Sequence, residues 1–298
     1  MRVFYSDHFT VTLPEGHRFP MEKYRLLRDH LVNHEILGPG ELSEPLRDSR
    51  EVLHLAHDPD YVARFLAGQI DSRHMRKVGF PWSEAFVLRV LATVSGALSA
   101  ADEALVSGFS GNLAGGTHHA SRAQGEGFCV FNDLATVAMD LVARGLERIV
   151  ILDLDVHHGN GNVEILGAIP EVSIISVHGE RNYPFQKPSS CLDIGLPDGT
   201  GDSTYLRVVE QVLEIVHRLK PQIILYQAGV DALHSDSLGK LAMTHRGLER
   251  RDELVLGYAK RHDVPISLAL GGGYAKPIAD SVLAYANTYR VARRVFAE

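Results

Sequence analysis

The sequence is poor in cysteine: only Cys129 and Cys191 occur among its 298 residues. Two cysteines are too few for a disulfide framework, which excludes the small cross-linked secreted domains and favours a reducing, cytoplasmic compartment. The N-terminus has no basic segment followed by an apolar one, so no signal peptide is expected. No apolar run is expected to be long enough to span a bilayer, and we predict no membrane association.

Basic tails and long lysine or arginine runs are also absent. The formal net charge is −7, from 30 lysines and arginines and 37 acidic residues. Direct binding of nucleic acid is therefore not expected, because it depends on clustered positive charge. We find no repeats, low-complexity tracts or linkers. With 45% hydrophobic residues the chain can build a sizeable core. We interpret residues 1–298 as a single domain, either a monomer or a subunit of a small homo-oligomer.

The most informative stretch, residues 149–162, reads IVILDLDVHHGNGN. Ile149–Leu152 has the length and β-branched content of a buried strand. Asp153, Asp155 and His157 follow at alternate positions, and alternate side chains on an extended backbone share one face. Carboxylate and imidazole groups at the carboxyl end of such a strand are natural ligands of a divalent metal. A helix cap or a solvated loop is the alternative interpretation, and the regular spacing favours the metal site.

Patterns of strands and helices alternate along the rest of the chain. This alternation predicts an α/β fold, a three-layer α/β/α domain with a mainly parallel central sheet. Helices are predicted at residues 21–36, from 58–59, and at 83–106, 132–144, 163–169, 203–219, 246–261 and from 274 onward. Strands are predicted at residues 3–5, 148–153, 172–177, 222–226 and 265–270, and residues 178–202 are predicted to form a long loop.

Three further loops carry unusual polar residues. They are Gly115–Ala120 (GGTHHA), Gln227–Asp231 (QAGVD) and Gly271–Tyr274 (GGGY). Each alone is a weak signal, since two adjacent histidines are also found in incidental polar turns. Together they would meet the acidic stretch at one edge of a parallel sheet, where ligands bind. The glycines let the backbone approach a ligand closely, and Tyr274 offers a phenolic donor.

Five motifs in this order resemble a known family: THHA, GEGFCVFND, DLDVHHGNG, QAGVD and GGGY. The sequence resembles the zinc-dependent histone deacetylases, which share the arginase-like α/β fold. The resemblance covers nearly the whole chain. The segments RNYPFQKPSS and LPDGTGD make it most similar to the compact bacterial members and the short eukaryotic class IV branch. It implies a metal-dependent amidohydrolase that removes acetyl or another short acyl group from lysine side chains of proteins or peptides.

The resemblance implies Asp155, His157 and Asp231 as the ligands of one catalytic Zn²⁺, with Fe²⁺ as the alternative in the cell. Three protein ligands are what a catalytic zinc site uses when it keeps one position open for water or substrate. Such an ion polarises the amide carbonyl and lowers the pKa of a bound water towards ~7.

Five catalytic residues are also implied by the resemblance. His119 would be the general base that later protonates the leaving amine, with His118 as its electrostatic partner. Asp153 would accept a hydrogen bond from His118, and Asn160 one from His119, which fixes the orientation of both rings. Some branches carry Asp where this chain has Asn160, so the pH optimum is left open. Tyr274 would donate to the developing oxyanion.

The substrate tunnel is implied less directly. Gly127 and Phe128 resemble one wall of an acyl-lysine tunnel, and the opposite wall should come from residues 182–185. Leu238 resembles the rim residue after the third metal ligand, and Gly272 is expected to approach the substrate. An ordinary core aromatic is the alternative interpretation of Phe128.

A structural monovalent cation, expected to be K⁺, is the last site that the resemblance implies. Its ligands would be main-chain carbonyls of Asp153, Asp155 and His157, together with Ser176 and Val177.

Three other functions were weighed. A two-metal ureohydrolase needs a carboxylate where this chain has Gly159. An acetylpolyamine amidohydrolase acts on small acylated amines, but those enzymes usually carry an inserted loop that is missing between Asp71 and Asn112. A non-catalytic acyl-lysine binding module would be indicated by loss of a ligand or of Tyr274, and neither is lost. The physiological substrate and the preferred acyl length are not determined by the sequence.

Overall fold

The computed structural model describes residues 1–296 of the chain. The strands are β1 (Arg2–Phe4), β2 (Leu42–Ser43), β3 (Phe109–Asn112), β4 (Ile149–Asp153), β5 (Val172–Gly179), β6 (Leu192–Leu196), β7 (Ile223–Gln227) and β8 (Ile266–Ala269). The α-helices are α1 (Lys23–Asn33), α2 (Leu53–Ala56), α3 (Pro59–Leu66), α4 (Ser72–Val78), α5 (Glu84–Ser107), α6 (Asp133–Ala143), α7 (Asn160–Leu166), α8 (Asp202–Leu219), α9 (His245–Arg261) and α10 (Ile278–Phe296).

All eight strands form one sheet in the order β2-β1-β3-β8-β7-β4-β5-β6, and every pair is parallel. Strand β4 lies between β7 and β5, where Asp153 pairs with Gln227 on one side and with Ser176 on the other. Because all strands run the same way, their carboxyl ends meet at one edge. The loops after β3, β4, β7 and β8 therefore converge there.

Side chains of β4 alternate between two hydrophobic cores. Val150 and Leu152 pack in one core with residues of α1, α8, α9 and α10. Ile149 and Ile151 pack in the other with residues of α2 to α7. A strand buried on both faces has helices on both sides. The predicted three-layer α/β/α fold with a parallel sheet is therefore confirmed.

Helix α5 is the longest helix that packs on the sheet. By length and composition alone it could cross a membrane, so the expectation that no apolar run is long enough to do so was wrong. In the structure, 67% of its most apolar stretch is buried inside the protein. Its small residues allow this close packing: a Cβ at Gly96 would lie 2.5 Å from the side-chain oxygen of Asn112 on β3.

Several elements differ from the sequence-based predictions. Residues 178–202 were predicted as a loop, but 192–196 form the edge strand β6 and 172–179 extend β5. Strand β3 and helix α4 were not predicted. The last helix begins at Ile278 rather than at Tyr274, so Tyr274 lies in a loop after β8.

Candidate active site

Three of the predicted site residues form one buried cluster beyond β4 and β7. A ligand atom from each of Asp155, His157 and Asp231 lies within 4.8 Å of the other two. The Nδ1 atom of His157 is 3.1 Å from Oδ1 of Asp155 and 3.0 Å from Oδ2 of Asp231. Two carboxylates and an imidazole in this arrangement are a donor set suited to a divalent cation with an open position.

Backbone groups orient both carboxylates of the cluster. The N–H of Val156, next to Asp155, donates to Oδ1 of Asp231 at 2.9 Å. The N–H of Gly272 donates to Oδ2 of Asp155 at 2.6 Å. A Cβ at residue 272 would lie 1.9 Å from Oδ2 of Asp231, so only glycine fits there. Gly272 therefore packs directly behind the carboxylates.

The protonation properties of the cluster follow from burial and mutual charge. Burial and the charge of Asp155 raise the pKa of Asp231 to about 7. Burial acts in the same direction on Asp155, but the neighbouring His118 and His157 outweigh it and hold its pKa well below the usual range. Burial also lowers the pKa of His157, yet hydrogen bonds and charges from the two carboxylates raise it to about 10. Buried carboxylates that stabilise a positive charge in this way are suited to binding a cation.

Two adjacent histidines lie beside this cluster, each anchored through its Nδ1. His118 Nδ1 is 2.7 Å from Oδ2 of Asp153, and His119 Nδ1 is 2.7 Å from Oδ1 of Asn160. Asn160 donates its own Nδ2–H to Glu126, at 2.7 Å, so its oxygen faces His119 and the ring must donate there. The free Nε2 atoms of the two rings face each other at 3.1 Å. Both pairings match those that the sequence analysis expected.

The two rings differ in basicity. Burial together with the charges of His118 and His157 holds the pKa of His119 well below its ordinary value. Burial also lowers the pKa of His118, but the charge and hydrogen bond of Asp153 more than offset this and raise it. His119 is therefore the neutral ring and His118 the more readily protonated one. An acid and a base side by side can accept and return a proton in one reaction.

A cavity of about 490 Å³ connects this cluster to the surface. Phe128 and Tyr274 line it, with ring centroids 5.9 Å apart. Tyr183 lines it beside His119, with the ring centroids 5.0 Å apart, so residues 182–185 contribute a wall as expected. Gly127, Leu238 and Gly272 also line the cavity. The structure therefore brings all predicted tunnel residues to one cavity.

A half-buried tyrosine, Tyr274, lies in the loop after β8. The backbone N–H of Tyr274 donates to Asp236 at 2.6 Å, and the same carboxylate accepts from the N–H groups of Leu238 and Gly239. Asp236 thus fixes both Tyr274 and the expected rim residue. Burial raises the pKa of Tyr274 well above 10, so the phenol keeps its proton and can act as a hydrogen-bond donor.

Comparison with known proteins gives this geometry a family context. Residues 17–289 match the model of the histone deacetylase domain. The chain belongs to the histone deacetylase family. It is therefore a hydrolase of the deacetylase type, as the five motifs implied, and its parallel sheet is the fold of that family.

Individual relatives agree with this family assignment. The chain is 43% identical over 296 residues to an uncharacterized protein of Picosynechococcus, covering 99% of both chains. It is 33% identical over 304 residues to a probable deacetylase of Archaeoglobus fulgidus, covering 96% of this chain and 83% of that one. The crystal structure of an HDAC homolog from Aquifex aeolicus superposes with a TM-score of 0.82 at 23% identity, over 100% of this chain and 84% of that one.

Behind the loop that carries Asp231 in this deacetylase lies a buried ion pair that sequence reasoning missed. Arg251 is fully buried on α9, and its Nε donates to Asp252 at 2.9 Å. Its other nitrogens donate to the main-chain carbonyls of Gly229 and Ala228, at 2.6 and 3.2 Å. Arg251 therefore holds the QAGVD segment that ends in Asp231.

Other contributing residues were also missed. They are Glu126 and Asp236, together with Gln227, whose Nε2 donates to the carbonyl of Gly116 and to Oδ2 of Asp155. Asp236 follows the motif QAGVD by five residues and lies between Ser235 and Ser237, which is not a distinctive local signal. The partners of Glu126 and Arg251 are distant in sequence and could not have been read from it.

The predicted monovalent cation site involves neighbouring strands. Ser176 of β5 pairs with Asp153 of β4, and Val177 follows it on the same strand. The Oγ atom of Ser176 is 3.0 Å from Nδ1 of His178, whose pKa burial lowers to about 4. The predicted ligand residues are thus close together, and the identity of a cation there remains a prediction.

Proposed function

We propose that this chain is a metal-dependent lysine deacylase that hydrolyses acetyl or another short acyl group from proteins or peptides. One observation carries the proposal: the Asp155, His157 and Asp231 cluster adjoins the anchored His118–His119 pair. Both lie at the inner end of a cavity of about 490 Å³ lined by aromatic side chains. An aromatic-lined channel that ends in a polar centre suits an acyl-lysine side chain.

The donor set fits a divalent cation, and we propose Zn²⁺, with Fe²⁺ as the alternative. Burial, together with the charge of Asp155, raises the pKa of Asp231, and a dication would offset both effects. When bound, such an ion supplies Lewis acidity towards an acyl oxygen and acidifies a water molecule. The backbone donors Val156 and Gly272 keep the two carboxylates in position for it.

The histidine pair handles the proton. His119 accepts a proton from the attacking water at Nε2, since its Nδ1–H is committed to Asn160. His118, paired with Asp153, carries positive charge beside the reacting centre. When the amide bond breaks, the proton on His119 passes to the leaving lysine amine. Each step uses a nitrogen that faces the gap between the two rings.

Tyr274 completes the proposed site as a hydrogen-bond donor to the developing oxyanion. Asp236 accepts a hydrogen bond from the backbone of Tyr274, and the Tyr274 ring packs against Phe128. Both contacts limit the motion of the phenol. A preorganised donor of this kind contributes about 3 kcal/mol to transition-state stabilisation.

A lysine side chain is favoured over a polyamine for a structural reason. Between Asp71 and Asn112 the chain contains α4, a short connection, α5 and β3, with no inserted loop to cover the cavity. The open cavity leaves room for a peptide backbone outside it. We also propose that K⁺ binds at the predicted site around Asp153 and Ser176, which pair on neighbouring strands.

Metal removal tests the proposed function. Chelated protein should hydrolyse a fluorogenic acetyl-lysine peptide at less than a hundredth of the rate of protein reloaded with one equivalent of Zn²⁺, because three ligands without an ion offer no Lewis acid. Asp231→Ala should lose both the bound metal and the activity. Equal activity of chelated and reloaded protein would refute a metal-dependent mechanism. Peptides carrying acetyl, propionyl and longer groups would then define the acyl preference.

A further inference from the structure

The mouth of the cavity is positively charged, although the whole chain is acidic. Four exposed cationic side chains line the cavity where it opens: Arg18, Lys77, Arg181 and Lys240. We call these four residues the basic rim. Asp155, a proposed metal ligand at the inner end, is the only carboxylate that lines the same cavity among the described residues. With a net charge of −7 for the chain, this local excess of positive charge is concentrated at the entrance.

Acidic side chains do little to neutralise the basic rim. Within residues 1–296, Arg181 has a single carboxylate contact, a distant one of 3.9 Å to the half-exposed Asp198. Lys77 donates to the neutral side chain of Gln124, and Lys240 to the main-chain carbonyl of Arg181. Exposed ion pairs at long distance contribute little, so the rim keeps its charge in water.

Two half-buried acids close to the cavity are committed to other groups. Asp236 accepts three backbone N–H bonds below the rim, from Leu238, Gly239 and Tyr274. Glu126 accepts from Asn160, on the side of the histidine pair. Neither lines the cavity. Within residues 1–296, the exposed charged side chains that line the cavity are therefore all cations.

We propose that the basic rim selects acyl-lysine peptides in which acidic residues flank the modified lysine. This inference rests on the proposed deacylase function, and it specifies the substrate class. With the acyl-lysine side chain in the cavity, extended flanking residues rise about 3.3 Å each across the entrance. Glutamate or aspartate at those positions pairs with the rim, whereas lysine-rich segments and cationic polyamines are repelled. The exposed Phe185, at the same mouth, adds an apolar contact for the peptide.

A peptide series tests the proposal on the zinc-loaded full chain. Three peptides share a central acetyl-lysine and carry glutamate, glutamine or lysine at the flanking positions, and N-acetylspermidine is the fourth substrate. We expect kcat/KM about tenfold higher for the acidic than for the basic peptide at 0.01 M salt, where the Debye length is about 30 Å. At 1 M salt, where it is about 3 Å, the ratio should fall below about twofold.

Charge-reversal variants locate the effect. Lys77→Glu and Arg18→Glu should each reduce the acidic-over-basic ratio severalfold. Arg218→Glu, at the exposed end of α8 on the opposite edge of the sheet, changes net charge equally and should leave the ratio unchanged. Lys77→Gln repeats the test without a new charge, in case a reversal impairs folding. A ratio near one, a preference for the basic peptide or polyamine, or an equal effect of Arg218→Glu would overturn the proposal.

Binding separates this inference from the proposed function. The dissociation constants of the fluorescently labelled acidic and basic peptides are measured by anisotropy at 0.01 M salt. If no substrate is hydrolysed, the deacylase proposal fails, and the two constants still decide the question of charge. About tenfold tighter binding of the acidic peptide supports the basic rim as a recognition surface, and equal binding refutes it.

Discussion

Replacing Gly272 with alanine should disable metal binding while leaving the fold in place. The new Cβ would lie 1.9 Å from Oδ2 and 2.7 Å from Cγ of Asp231, and real Cβ contacts are essentially never below 3.0 Å. The carboxylate would have to retreat by about 1 Å, whereas metal–ligand distances tolerate only about 0.2 Å. The obstacle is a carboxylate that Val156 holds from the other side at 2.9 Å, so it cannot simply swing away.

The expected loss of zinc affinity is at least 10- to 100-fold, the range seen when groups that orient metal ligands are removed. Competition with a chromophoric chelator measures this directly. Activity at limiting zinc should fall in parallel and recover in part at high zinc.

Gly40→Ala is the matched control for this prediction. Its Cβ would meet no atom within 4 Å, so affinity and activity should be unchanged. Thermal unfolding of both variants separates a local effect from a loss of folding. If Gly272→Ala binds zinc within twofold of the unaltered chain, the close packing of residue 272 on Asp231 does not control the site.

Three further predictions concern single side chains. Asn160→Asp places a carboxylate beside His119, which favours the protonated ring and raises the pKa of His119. Since the base must be neutral, the acid limb of the kcat/KM profile should move to higher pH. An acid limb that does not move would argue against His119 as the base. Arg251→Met leaves the buried Asp252 without its cation, so it should lower the free energy of unfolding in urea by about 3–5 kcal/mol and weaken zinc binding. The control Arg250→Met, at the exposed neighbour, should lower it by under about 0.5 kcal/mol. Similar losses in the two variants would contradict the supporting role of Arg251. Tyr274→Phe should lower kcat by about 10²–10³ with zinc content unchanged, and full turnover would remove its assigned role.

Much of the fold was predictable because its central strands are continuous apolar runs. Strand β4 is buried at every position and ends in polar residues of period two, which marked both the strand and the site. Edge strand β6 lacks this signal, because its first residues alternate between half-buried and exposed and include Asp193 and Gly195. Helix α4 buries only Met75 and Val78, which is too small an apolar face to detect.

The candidate site was predictable to a different extent. The motifs indicated which residues form the candidate site. The resemblance to the family supplied their expected roles, which the spacing alone does not provide. The motifs do not reveal contacts between residues that are distant in sequence, such as Arg251 with Gly229 or Asn160 with Glu126. These depend on how α9 and the loop before Phe128 pack, and packing is decided by the whole core. The charge of the basic rim is of the same kind, since its members come from four separate segments.

The exchange of hydrogen bonds between the two acidic loops has a consequence for the proposed binding of a cation. The N–H of Val156, next to Asp155, donates to Asp231, and the N–H of Gly272, which packs against Asp231, donates to Asp155. These reciprocal hydrogen bonds come from the backbone, so the fold itself holds the two carboxylates in place. Removal of the proposed ion with a chelator should therefore leave the far-ultraviolet circular dichroism spectrum unaltered.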